Sequence, residues 1–153
     1  MILRRWPDPV LTTAAVPFTD FTDLGRLARV MLAVMRQHNG VGLAANQIGR
    51  GDSVLIAELP EYWSPGGRDL DGVLVLTNAT LCHTGGLEVA SEGCLSVPKR
   101  MFNLARPGWI TVTGFDVAGE AIELTVVGFS ARILAHELDH LAGRTILAPG
   151  ITA

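Results

Sequence analysis

The sequence predicts an α+β fold in which short antiparallel strands form small sheets packed around a C-terminal helix. Three observations carry this expectation. Leu24, Leu27, Ala28, Met31, Val34 and Met35 recur at three-four spacing, the mark of a helix with one buried stripe. Residues 130–143 form a second helical segment, which spells His136-Glu137-Leu138-Asp139-His140. Between the two lie short apolar runs bounded by glycine, proline and polar turns, the pattern of strands. Strands grouped between helices, rather than alternating with them, indicate segregated layers.

Residues 1–19, punctuated by Pro7, Pro9 and Pro17, are expected to be extended or irregular. The first helix takes Thr22 or Asp20 as its N-cap and stops at Gly40. His38, in its last turn, is given a structural role, because a charged imidazole there suits the helix dipole. Residues 40–49 are mostly small, so a backbone there could approach a ligand closely, and Gln47 offers both a donor and an acceptor. A phosphate loop is excluded, since the Lys-Ser/Thr pair and a preceding strand are missing. Residues 53–59 read as a strand, and residues 60–72 as a loop containing Trp63, Pro65, Gly66 and Gly67. Residues 73–80 read as a further strand that could reach His83; Cys82 and His83 are assigned to structure. In residues 88–98, Gly93 allows a tight bend before Cys94 and Pro98 imposes extended backbone after it. Cys94 read alone is a buried, inert thiol. Residues 109–115 and 121–127 form a hairpin across residues 117–120. Ser130 caps the last helix and Gly143 ends it.

At 153 residues, 48% apolar and 18% charged, the chain is expected to be one ordered domain with a real core. Mean hydropathy is +0.34, but the apolar runs fall well short of the ~20 residues that span a bilayer. Arg4, Arg5 and Pro7 interrupt the N-terminus before a signal-like run develops. A cytoplasmic protein with no membrane partner is expected. A net charge of −3 without a run of Lys or Arg argues against a nucleic-acid partner. Cys82 and Cys94 are too few for a disulfide framework, so a cysteine here is a candidate ligand or nucleophile.

The pentapeptide at 136–140 points to metal chemistry. Two histidines four apart on a helix lie one turn above each other and can reach a single ion, with Glu137 between them as base for a metal-held water. Two imidazoles do not complete a site. A zincin-type endoprotease would take its third ligand downstream, and residues 144–153 contain no His, Glu or Asp. A non-catalytic module around a structural metal would have no use for Glu137 or Gln47.

Three segments in order, Gly40-Val41-Gly42-Leu43-Ala44-Ala45-Asn46-Gln47, Glu92-Gly93-Cys94-Leu95-Ser96 and His136-Glu137-Leu138-Asp139-His140, resemble the peptide deformylase family. Ile2-Leu3, Pro7-Asp8-Pro9 and Leu11 resemble its opening. The resemblance implies removal of the N-formyl group from formylated nascent peptides that begin with methionine. It implies Cys94, His136 and His140 as metal ligands, with Fe²⁺ physiological and Zn²⁺, Ni²⁺ or Co²⁺ as substitutes. It makes Glu137 the general base, and Gln47 and the Leu95 backbone N–H the donors to the developing oxyanion. It places Val41, Gly42 and Gly93 beside the pocket for the first side chain, with Arg132 and Ile133 one turn before His136.

The chain departs from the family at several of these places. Arg132 stands where the family has an apolar residue, and is expected either to snorkel to solvent or to tune the pocket. Ala135 replaces a common glutamine, and Met101, with Arg100 adjacent, replaces a common arginine. Asp139 should face away from the metal and pair with Arg106. No long basic C-terminal helix follows, so ribosome docking by that route is not expected. The alternative reading is a deformylase paralogue with altered substrate specificity.

Overall fold

The computed structural model describes residues 2–60 and 70–147. Its elements run α1 (Leu24–Gln37), β1 (Gly42–Ala44), β2 (Val54–Ala57), β3 (Leu74–Gly85), β4 (Glu88–Cys94), β5 (Val97–Arg106), β6 (Trp109–Phe115), β7 (Ala121–Val127) and α2 (Gly128–Leu141), with 3-10 turns at Pro9–Thr12 and Ala45–Ile48. The strands pair antiparallel into a sheet ordered β1-β2-β3-β6-β7 and a two-stranded ribbon, β4-β5. This is the expected α+β architecture.

Alternation along the strands explains the layering. Leu43, Val54, Ile56, Val73 and Val75 cluster with Leu27, Met31 and Met35 of α1. Their neighbours Ala44, Leu55, Ala57, Leu74 and Leu76 cluster with Ala131, Ile133 and Leu134 of α2. Both faces of β2 are therefore covered, and all four of its residues are buried. The large sheet separates the two helices, and α2 in turn lies between that sheet and the β4-β5 ribbon.

Local chemistry differs from the sequence expectation at the helix ends. Asp23, not Thr22 or Asp20, occupies the N-cap position of α1, and no side chain caps it. Asp23 is engaged by Arg26 Nε at 2.7 Å, and Thr22 donates its hydroxyl to Asp20. At the far end Asn39, at φ 54, makes the left-handed turn before Gly40 is reached. Ser130 is not a cap either. β7 leads straight into α2 through Val127 and Gly128, whose φ is 56, and Ser130 lies buried within the first turn. Gly143, at φ 73, follows the helix end as expected.

β1, β4 and β5 are strands where none was expected. Residues 61–69, with Trp63, Pro65, Gly66 and Gly67, lie outside the described residues.

Asn78 ties the N-terminal segment to β3. Its Oδ1 accepts from the Phe18 backbone N–H at 2.7 Å, and its Nδ2 donates to the Phe18 carbonyl at 2.9 Å. It does so at φ 52, where asparagine is tolerated better than most residues. Asn78→Ala should lower the unfolding free energy in urea titration by about 2–3 kcal/mol, from two lost hydrogen bonds and the unfavourable φ. A change below about 0.5 kcal/mol, the spread of ordinary surface substitutions, would show that the tether contributes nothing.

Candidate metal centre and active site

Two periodicities build the site. On β4, residues two apart share a face, so Glu92 and Cys94 both turn inward, while Gly93 between them is exposed. On α2, Arg132, His136 and His140 stand one above another at four-residue spacing. The two rows meet. Cys94 Sγ lies 3.3 Å from His140 Nε2, which lies 3.1 Å from His136 Nε2. The three donor atoms fall within 4.8 Å of one another, and all three residues are buried.

One sulfur and two imidazole nitrogens form a donor set that suits a divalent transition metal. Two buried atoms beside them, Glu137 Oε2 and His140 Nδ1, have no hydrogen-bond partner among the described residues. The residues present therefore fit a metal, with a carboxylate oxygen still uncommitted next to it.

Glu92 holds this arrangement together, and the sequence expectation gave it no role. Its Oε1 accepts from His136 Nδ1 and from Arg106 Nη2, each at 2.6 Å. Its Oε2 accepts from Arg106 Nε at 3.1 Å and from Arg132 Nη1 at 2.9 Å. Arg106 also donates to Asp139, as expected, and Asp139 is further paired with Arg144. Burial would raise the Glu92 pKa, but hydrogen bonds from His136 and Arg106, with their charges, hold it at about 2. The available signal was the two-residue spacing to Cys94, because a ligand histidine needs a partner for its second ring nitrogen.

The same balance acts on the histidines. Burial opposes a charge on His136, yet hydrogen bonds with Cys94 and Glu92 and the nearby negative charges carry its pKa up to about 10. Burial and the His136 charge push His140 well below the ordinary imidazole value. Glu137 is pushed up to about 7, chiefly by burial.

A cleft of about 550 Å³ opens over these groups. Val41, Gly42, Gln47, Gly93, Cys94 and Leu95 line it, as do Arg132, Ile133, His136 and Glu137; His140 lies beneath at 1% exposure. Gln47 Nε2 is 3.1 Å from Ser96 Oγ and 3.9 Å from Cys94 Sγ, while its Oε1 accepts from the Ala44 backbone at 2.9 Å. Leu95 and Ser96 form the turn between β4 and β5.

Both Gly42 and Gly93 serve close approach. A Cβ on Gly42 would collide with Glu137 Oε1, and one on Gly93 would meet Met101 Sδ at 2.9 Å. Gly93 pairs in register with Met101, and the ladder then shifts register between Gly93 and Cys94, where the bend was expected. His38 also lines the cleft, besides ending α1 through its backbone N–H. Arg100 lies over the Phe102 ring at the cleft's edge, 4.8 Å from its centroid. Ala135 packs on the core cluster between α2 and the sheet. Cys82 and His83 are exposed on β3.

The expectation that Arg132 snorkels to solvent is corrected. It is 5% exposed, because Glu92 and two backbone carbonyls hold its guanidinium inside.

Removing Glu92 strands buried charges on Arg106 and Arg132 and frees the His136 ring. Glu92→Ala should lower stability by about 3–5 kcal/mol in thermal or urea unfolding. Metal affinity, read by competition with a chelator, should weaken roughly 10–100-fold. The carboxyl's pKa falls on folding, so its contribution is complete above its ordinary value of 4.5 and drains as pH drops towards about 2. Stability of the native chain should decline through that window, and Glu92→Gln should flatten the decline. Equal slopes for the two proteins would refute the assignment.

The family model for polypeptide deformylase matches residues 1–149. Peptide deformylase 2 of Streptomyces coelicolor is 42% identical over 139 residues, covering 90% of this chain and 75% of that one. The crystal structure of peptide deformylase from Thermotoga maritima superposes with a TM-score of 0.86 at 32% identity, covering 95% and 94% of the two chains. A Met-Ala-Ser-bound class I type b peptide deformylase from Acinetobacter baumannii gives a TM-score of 0.85 at 29% identity, covering 96% of each. With its fold and nearly its whole length shared with these enzymes, the chain belongs to the polypeptide deformylase family.

Proposed function

We propose that this protein is a metal-dependent hydrolase that removes the formyl group from formyl-methionyl nascent peptides, as a single catalytic domain in the cytoplasm. The observation that carries the reading is the buried meeting of Cys94, His136 and His140 beside an uncommitted Glu137 oxygen, at the floor of a cleft. Cys94, His136 and His140 would hold the metal, with Fe²⁺ the physiological ion and Zn²⁺, Ni²⁺ or Co²⁺ able to replace it. When bound, the metal supplies Lewis acidity that polarises the formyl carbonyl and acidifies water.

The remaining steps belong to the chain's own groups. Glu137 accepts a proton from the attacking water as its oxygen bonds to the formyl carbon; a pKa raised by burial suits a base working near neutral pH. Gln47 Nε2 and the Leu95 backbone N–H donate to the carbonyl oxygen as it takes on charge. The C–N bond then breaks, Glu137 returns the proton to the departing amine, and formate remains. Gly42 keeps the volume beside Glu137 clear.

Substrate placement follows from the sheet edge. β1 is the last strand of its sheet, so a peptide lying along it can pair with its open backbone groups. The first side chain then turns between α2 and β4, where Gly93, Arg132 and Ile133 line the cleft. The Met-Ala-Ser-bound relative supports a peptide beginning with methionine. Among the described residues no helix is long and apolar enough to cross a membrane.

Formate release from formyl-Met-Ala by the anaerobically purified, iron-loaded protein tests the reading. Glu137→Gln should lower turnover at least about 10³-fold, within the range for a lost general base, while metal content stays at that of the native chain. Near-normal turnover in that variant, or no formate from the native chain, would refute it.

A further inference from the structure

The outer part of the cleft carries positive charge that the proposed reaction does not use. Where Gly93 of β4 pairs with Met101, the next residue, Cys94, pairs with Val97, so Pro98, Lys99 and Arg100 are surplus on β5 and bulge out of the ladder. All three are exposed and line the cleft. Lys99 sits at φ 63, a conformation that a residue with a side chain keeps only where its surroundings hold it. Arg100 is steadied by the Phe102 ring, 4.8 Å from its centroid. A third exposed cation, Arg5, lines the same cleft. The Arg4 N–H on the Gln47 carbonyl and the Trp6 N–H on the Ser96 carbonyl fix its backbone on either side. Among the described residues none of these three cations has an ion-pair partner. The acidic residues lining the cleft are Glu92 and Glu137, which are buried at 7% and 4% exposure and serve the donor cluster. A chain of net charge −3 thus presents an unneutralised positive rim at its active-site cleft.

We propose that Arg5, Lys99 and Arg100 form a specificity-determining rim that selects formylated peptides with acidic side chains beyond their second residue. The rim stands outside the donor cluster, where the downstream part of a peptide leaves the cleft. A carboxylate there meets cations that no residue of the chain neutralises, whereas a lysine meets like charge. A peptide suits this position better than a nucleic acid does: the cations line the cleft itself, and the net negative charge of the whole chain opposes a long polyanion. An acidic residue on a short segment feels the local rim instead, within a screening length. This inference rests on the deformylase reading above.

The test compares kcat/KM for the amidated peptides formyl-Met-Ala-Glu-Glu, formyl-Met-Ala-Gln-Gln and formyl-Met-Ala-Lys-Lys, using the iron-loaded native chain. At an ionic strength of about 0.01 M the Glu-to-Gln ratio should be about fivefold, the scale of an exposed ion pair, and the Lys-to-Gln ratio should fall below one. Both ratios should return to within about twofold of one at about 1 M, where screening acts over about 3 Å. The combined variant Arg5→Gln, Lys99→Asn and Arg100→Gln should lose the ratios at low salt; asparagine is chosen because it tolerates the left-handed backbone at that position. A Glu-to-Gln ratio below about twofold in the native chain at low salt overturns the proposal, as does a ratio that the variant keeps. Should the variant fail to fold, the native ratio and its loss in salt still decide. Ratios near one, with salt-sensitive inhibition by a short oligouridylate, would assign the rim to RNA phosphates and overturn the proposal. No formate from any of the peptides sinks the deformylase reading and this inference with it. Formate from all three at equal efficiency sinks the inference alone.

Discussion

A buried carboxylate remains ionised only while its donors are in place, and Glu92 draws its donors from two separate elements. His136 and Arg132 come from α2, and Arg106 comes from β5. The β4-β5 ribbon has only two strands, and a ribbon of that size is marginal without something to pack on. Beneath it lies a small apolar cluster of Cys94, Val97 and Ile146, supported by Phe102 and Leu104. The ion network therefore carries much of the task of fixing the ribbon on α2. Cys94 sits two residues along from Glu92, so whatever fixes Glu92 also fixes the sulfur against the histidines. Fold and site share a single constraint here.

The N-terminal segment, which reads as irregular, braces the same region from the other side. The Arg4 N–H donates to the Gln47 carbonyl at 2.6 Å, and the Trp6 N–H donates to the Ser96 carbonyl at 2.9 Å. Further along, the Ala15 N–H reaches the Leu141 carbonyl at 2.8 Å at the end of α2. These bonds join the turn carrying Gln47, the turn carrying Leu95 and the helix carrying the histidines. A proline-punctuated chain does this without forming a strand of its own, because its free N–H groups find carbonyls that the turns leave unpaired.

What was legible in the sequence follows from periodicity. The hairpin of β6 and β7 falls on residues 109–115 and 121–127, where apolar residues alternate and Gly119, at φ 77, sits in the turn. β5 was hidden, since Pro98-Lys99-Arg100-Met101 shows no alternation on a ribbon exposed along much of its length. β1 was hidden by its shortness and by small residues that resemble a loop. The donor trio was legible only through motifs, because Cys94 and His136 are distant in sequence. The role of Glu92 and the burial of Arg132 were not legible for a different reason: a charged residue is normally a surface residue, and only their mutual pairing makes burial tolerable. Pairing across forty residues leaves no trace in local pattern.

The charges around the donor cluster favour one positive charge there, and not two. Glu92 and Cys94 support a charged His136, whose presence in turn keeps His140 neutral. A cation bound by the trio would stand where that proton stands, so the proton and the cation compete for the same electrostatic preference. Glu137 feels the outcome. Its pKa is raised by burial and drawn down by positive charge at His136. Whatever supplies positive charge to the cluster thus moves Glu137 towards the ionised form that a general base requires. Gly42 leaves the carboxylate room to adopt that role, and its Oε2 has no competing partner among the described residues to hold it back. Base strength and ligand binding are then linked through the same few ångströms of α2, with Glu92 as the fixed point for both.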